Sequence, residues 1–145
     1  MDPRSALQQY NQVRTHAQVE GASPHRLIQM LMEGALDKIR IAKGFMEHGK
    51  IIEKVRHINW ALSIIDGLQN SLDMEKGGDI AQHLNSLYDY MQRRLIVANM
   101  DNDPAILDEV AGLMVEIKSA WDAVPQILKS EERKATLQTA GATTP

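Results

Sequence analysis

The chain has 145 residues, of which 43% are hydrophobic and 24% charged, with a formal net charge of -3. That size and balance suit one globular domain with a sizeable core, and the absence of cysteine excludes disulfides and thiolate metal sites and fits a reducing cytosol. Residues 24–58 carry seven basic and four acidic groups, residues 59–123 four and eleven, so no dense basic stripe invites nucleic acid, and no run is apolar and long enough for a signal peptide or a membrane span.

Residues 1–22 hold no long periodic run, and the expectation is a segment that is mobile or only docked onto the body. Leu7, Tyr10 and Val13 nevertheless recur at spacing three, the pattern of a short one-sided element. Ser23-Pro24 marks a helix start, with Ser as N-cap and Pro in the first turn. The first helix is predicted to run to Glu47 before His48-Gly49-Lys50, with a core stripe of Leu27/Ile28, Leu31, Ala35, Ile39, Ala42 and Met46. Met30, Met32, Leu36 and Phe45 are apolar beyond that stripe.

The second helix, Ile51 to Leu72, is expected to face Ile51, Val55, Ile58, Leu62, Ile65 and Leu68/Leu72 inward, with Ile52, Trp60, Ala61 and Ile64 widening the arc. Gly77-Gly78 reads as a turn. The third helix, Ile80 to Met100, carries Ile80, Leu84, Leu87, Met91, Leu95 and Ala98 on one face and spans roughly 30 Å. Tyr88, Tyr90 and Ile96 fall partly off it. Asp101-Asn102-Asp103-Pro104 starts a fourth helix from Ala105 to about Ala123, with Ile106, Val110, Leu113, Ile117 and Trp121 inward and Leu107 and Met114 beside them. Pro125 is expected to end or bend it, leaving a short helical turn and a flexible polar tail.

The expected fold is therefore all-α: an antiparallel up-down four-helix bundle over residues 23–125, with an N-terminal segment (1–22) and a partly disordered C-terminal extension (126–145). Di-iron bundles need Glu-x-x-His pairs, but the residues three before the five histidines are Val13, Ala22, Phe45, Lys54 and Ile80. No phosphate loop, dinucleotide fingerprint or nucleophile elbow occurs. The expectation is a protein that is not an enzyme and uses no cofactor. What remains is apolar surface wider than the roughly hundred-degree stripe a bundle helix needs. Either it pads helix edges, or it forms a groove for another chain's amphipathic helix, with Met supplying pliable contacts.

Several segments in order resemble the FliS family of flagellin export chaperones. They are Tyr10 ahead of Ala22-Ser23-Pro24, then Leu27-Ile28-x-Met30-Leu31-x-x-Gly34-Ala35, Asn59, Ser71-Leu72-Asp73 and Gly77-Gly78. Leu87-Tyr88-Asp89-Tyr90-Met91, Arg94-Leu95, Ala98-Asn99 and Ala120-Trp121 complete the set, over about residues 7–124. Met32-Glu33 departs from the family's usual aromatic and acid before Gly-Ala. The resemblance implies a cytoplasmic chaperone that binds the disordered C-terminal segment of flagellin one-to-one, prevents early polymerisation and delivers it to the flagellar type III export apparatus. It implies contacts on the second to fourth helices, and an N-terminal segment that covers part of the site and meets the export gate. Leu7, Tyr10 and Val13 become the cap or export-contact candidates. Ile64, Leu68, Met91, Leu95, Leu107 and Met114 are groove candidates, with internal core as the alternative for each. Asn59, Tyr88 and Asn99 either satisfy the partner's backbone or bond within the bundle. An anti-sigma factor or other regulator, and a homodimer in the unliganded state, are further partner expectations; membrane insertion is not expected.

Overall fold

The computed structural model describes residues 23–142, with side chains to residue 137. Four helices make up the described residues: α1 (Pro24–Glu47), α2 (Ile51–Asn70), α3 (Gly78–Asp101) and α4 (Pro104–Ala142). Ser23 opens α1 with extended backbone, and its Oγ accepts a hydrogen bond from the Arg26 N–H at 3.1 Å. The same helix ends in a Schellman motif. Gly49 takes φ +71, the Lys50 N–H reaches back to the Phe45 carbonyl (2.9 Å), and the Gly49 N–H to that of Met46 (3.2 Å). The chain thereby reverses within three residues.

Asp73 builds the next turn, its Oδ1 accepting the N–H groups of Glu75 and Lys76 at 3.1 and 3.0 Å. Gly77 is needed there for space, because a Cβ would stand 2.5 Å from that of Ala81 and 2.8 Å from the Asp73 carbonyl. At the last corner Asn102 adopts the left-handed conformation, and Asp103 Oδ1 accepts the Ala105 N–H at 3.0 Å as α4 begins.

Each helix packs on two neighbours, α1 on α2 and α4, and α3 on α2 and α4, with α1–α2 the most extensive pairing. Contacts between α1 and α4 run antiparallel: Lys43 meets Asp108, Glu33 meets Lys118 and Gln29 meets Asp122. This is the expected antiparallel four-helix bundle, with its aliphatic core centred on Ile39, Ile58, Ile65, Met91, Leu95, Leu107 and Met114.

The helical faces are rotated from the expected stripes. In α2 the buried line is Lys54, Ile58, Ala61, Ile65 and Leu68, whereas Ile51 is exposed. In α3 Ala81 and Tyr88 are buried and Ile80 is exposed. Met32 and Leu36, read as surplus on α1, belong to the core. Nor does Pro125 end α4. A proline removes one helical hydrogen bond and crowds the preceding turn, yet the helix passes through Pro125 and is traced to Ala142. No helix among the described residues is long and apolar enough to cross a membrane.

Candidate functional site

The four seams between neighbouring helices are closed by different chemistry. Along α1–α4 the closures are charged: Lys43 to Asp108 at 3.0 Å, Lys118 to Glu33 at 3.8 Å, and Gln29 Nε2 donating to Asp122 at 2.7 Å. Lys118 and Gln29 hold the Asp122 carboxyl below its usual range. Across α3–α4, Glu109 accepts from Arg94 Nε at 2.8 Å and from the Tyr90 hydroxyl at 2.9 Å. Those two donors lower the Glu109 pKa, and the same bonds raise those of Tyr90 and Arg94. The α1–α2 seam is tight and aromatic: Phe45 meets His57 with centroids 5.2 Å apart, the Lys38 ammonium sits 3.9 Å over the Trp60 ring, and Gly34 admits Ile64.

The α2–α3 seam is built otherwise. Its upper half is an amide ladder: Gln69 Nε2 donates to Asn85 Oδ1 (2.9 Å) and Asp89 Oδ1 (2.8 Å), and Gln92 Nε2 donates to Gln69 Oε1 (2.9 Å). Its lower end is pinned by Lys54, which is 2% exposed. The Lys54 ammonium donates to the Asn99 carbonyl at 2.9 Å and to Asn102 Oδ1 at 2.5 Å. No carboxylate pairs with it among the described residues; instead it meets the C-terminal end of α3, where the helix dipole favours a cation. Asn99 Oδ1, buried beside it, has no hydrogen-bond partner among the described residues.

Around that pin the surface is apolar. Ile96 follows Asp89 and Gln92 at helical spacing, so it shares their α2-facing edge. Since α2 and α3 are antiparallel, Ile51 and Ile52 at the start of α2 lie at the same end as Ile96 and Met100. These four side chains are 51%, 71%, 50% and 70% exposed. Aliphatic groups this open, at one end of one seam, form an exposed apolar edge beside a helix–helix groove among the described residues. Val55 and Leu62 line the floor, half-buried.

The structure separates the expected site residues into three sets. Leu68, Tyr88, Met91, Leu95, Leu107 and Met114 are interior, each no more than 2% exposed. They pack between the helices here, which is the interior alternative stated for them and not the groove lining. Ile64 packs against Gly34 on the α1–α2 seam, away from α3. Asn59 is exposed on the outer edge of α2, and Asn99 is half-buried at the Lys54 pin, so these two flank the α2–α3 seam. Leu7, Tyr10 and Val13 lie outside the described residues.

Sequence reasoning missed Ile51, which it placed in the core, and gave Lys54 and Met100 no role. Ile52 and Ile96 carried a signal, as apolar residues off the expected stripe. Lys54 carried none, because a lysine on a core stripe reads as a register error until its acceptors are visible.

The sequence profile of the family described as Flagellar protein FliS matches residues 6–128. The flagellar secretion chaperone FliSB of Pseudomonas aeruginosa is 50% identical over 119 residues, 82% of this chain and 94% of its own length. Flagellar secretion chaperones FliS of Vibrio cholerae and Salmonella typhimurium are each 45% identical, over 122 and 121 residues, covering 84% and 83% of this chain and 90% of their own lengths. An all-helical bundle matched along nearly its whole length by such relatives belongs to the FliS family of flagellar secretion chaperones.

Proposed function

We propose that the chain binds the disordered C-terminal segment of flagellin in the bacterial cytoplasm, one partner per chain, and that the segment folds as an amphipathic helix along the α2–α3 seam. The observation that carries this is the exposed set Ile51, Ile52, Ile96 and Met100 beside a seam whose amide ladder of Gln69, Asn85 and Gln92 is already paired. A helix laid there gains about 25 cal/mol per Å² of apolar surface removed from water. In this reading Asn59, exposed at the edge of α2, meets the partner's polar or backbone groups, and half-buried Asn99 bonds with the partner or within the bundle. Ordering the segment offsets part of the gain, which moderates affinity and favours later release to the type III export apparatus. Shielding its apolar face prevents premature polymerisation without nucleotide chemistry. Leu7, Tyr10 and Val13 are assigned to capping or to the export gate.

The test is calorimetric titration with the C-terminal segment of flagellin from the same organism. A one-to-one isotherm with negative heat-capacity change, weakened by Ile96→Asp and Ile52→Asp but not by Val115→Asp on the far side of α4, is the expected result. Absence of heat and of a complex on gel filtration, with both components intact, sinks the reading. A partner-free homodimer dispersed by Ile96→Asp would instead assign the seam to self-association.

A further inference from the structure

The C-terminal end of α3 is closed by a residue that belongs to another helix. A Schellman ending makes two bonds, one from each N–H beyond the helix, to two different carbonyls of the last turn. The end of α1 makes both within its own turn: Lys50 to Phe45, and Gly49 to Met46. The end of α3 makes only the first in that way. The Asp103 N–H reaches the Ala98 carbonyl at 3.3 Å, but the Asn102 N–H goes to that same carbonyl instead of to Asn99. The Asn99 carbonyl receives the Lys54 ammonium at 2.9 Å.

The corner residue fits the same arrangement. Asn102 (φ +49) is the one non-glycine residue with positive φ among the described residues. Glycine is the usual left-handed residue at such a place, as Gly49 is after α1. Glycine would leave Lys54 without its second acceptor, which here is Asn102 Oδ1. Packing gives no reason for a lysine at position 54. An apolar side chain would fill the same space, and burying an ammonium with no carboxylate beside it is costly. Bonding the end of α3 does give a reason.

The position of this cap ties it to the apolar edge. Lys54 lies on the first turn of α2 beside Ile51 and Ile52, and its two acceptors flank Met100, about one turn beyond Ile96. One side chain thus joins the turn that carries half of the edge to the turn that carries the other half. A last helical turn frays readily because its carbonyls lack partners, and Met100, 70% exposed, packs too little to hold that turn by itself.

We propose that Lys54 is a positioning residue, which caps α3 from α2 and so holds Ile96 and Met100 in place beside Ile51 and Ile52. Being 2% exposed, the ammonium acts through the last turn of α3 and not by touching a partner. The consequence for binding rests on the flagellin reading, whereas the capping is read on the free protein.

The absence of cysteine allows a chemical test in the full-length chain. Lys54→Met removes the ammonium. Lys54→Cys, alkylated with 2-bromoethylamine in denaturant and refolded, restores an ammonium at nearly the length of lysine. Asn102→Gly keeps the left-handed backbone and removes one acceptor. Amide hydrogen exchange at Asn102 and Asp103, relative to Met91 and Leu95 in mid-helix, is expected to accelerate about tenfold in Lys54→Met and about threefold in Asn102→Gly. Affinity for the C-terminal segment of flagellin, titrated where each protein is folded, is expected to fall about tenfold in Lys54→Met. Both effects are expected to reverse in the aminoethylated protein. Unchanged exchange, a uniform rise along α3, full affinity despite a frayed end, or no rescue by the restored ammonium would each overturn the proposal. If Lys54→Met does not fold, Asn102→Gly decides by the same two measurements. A wild-type chain that fails to bind the segment sinks the flagellin reading, and the exchange pattern then decides the capping alone.

Discussion

The α1–α4 and α2–α3 seams join helices of the same bundle, yet they end at their surfaces in opposite ways. Along α1–α4, lysines and carboxylates close over the aliphatic core, so the exterior is charged and offers little to an apolar partner. Along α2–α3, amides pair with one another, a buried ammonium spends its bonds on a helix end, and the outer residues are isoleucine and methionine. Polar groups that are satisfied internally leave a surface free to be apolar. A surface is made available for binding as much by where polar groups are consumed as by where apolar ones are placed.

This contrast is broken most severely from the inside. Leu95→Ala removes a fully buried side chain behind the α2–α3 seam and is expected to cost about 2–5 kcal/mol, read by chemical denaturation. If Leu95 instead lined a groove, stability would barely change. The alkaline limb of the stability curve comes next. Burial pushes the Tyr88 phenol up to about 12. Because the folded value is raised, the stabilisation is complete below the unfolded value near 10 and is lost as pH rises through the folded one, a difference on the order of 2 kcal/mol. Tyr88→Phe is expected to remove that component, and unchanged alkaline curves in the two proteins would refute the assignment.

At the surface the effects are smaller and separate binding from folding. Ile96→Asp is expected to leave thermal stability within about 0.5 kcal/mol, while weakening the proposed flagellin contact by roughly tenfold, or about 1.4 kcal/mol. The smallest change is expected for Glu109→Gln on α3–α4. Glu109 has a lowered folded pKa, so its contribution is present above the unfolded carboxylate value and fades as pH falls through the folded one. Being half-exposed, it is worth under about 1 kcal/mol. An equal loss of flagellin affinity in Ile96→Asp and Glu109→Gln would erase the distinction between the two seams.

Helix number, connectivity and most ends are legible in the chain. Ser23-Pro24, Gly49, Gly77-Gly78 and Asp103-Pro104 each serve one backbone demand: a cap, a left-handed residue, a close approach or a first-turn proline. Such demands are local, so residue type reveals them. Of the two expectations for Pro125, ending or bending α4, ending is excluded, because a single proline is a weaker stop than the helix-forming run around it. The candidate site was less legible. Ile51 and Ile52 are adjacent, and choosing which one faces inward turns on about a hundred degrees of helix rotation. The many aliphatic residues of α2 leave that choice open.

The order of apolar and turn residues along this chain determined an all-helical bundle, its corners and the family to which it belongs, because spacing and capping act within a few residues. Tertiary packing decided which apolar residues became core and which became surface. A helix rotates as one body to match its neighbours: Tyr88 and Ala81 turned inward together and Ile80 outward. It also decided the place of Lys54, a charged residue tolerated in the interior because the end of a different helix, 45 residues along the chain, supplies its acceptor.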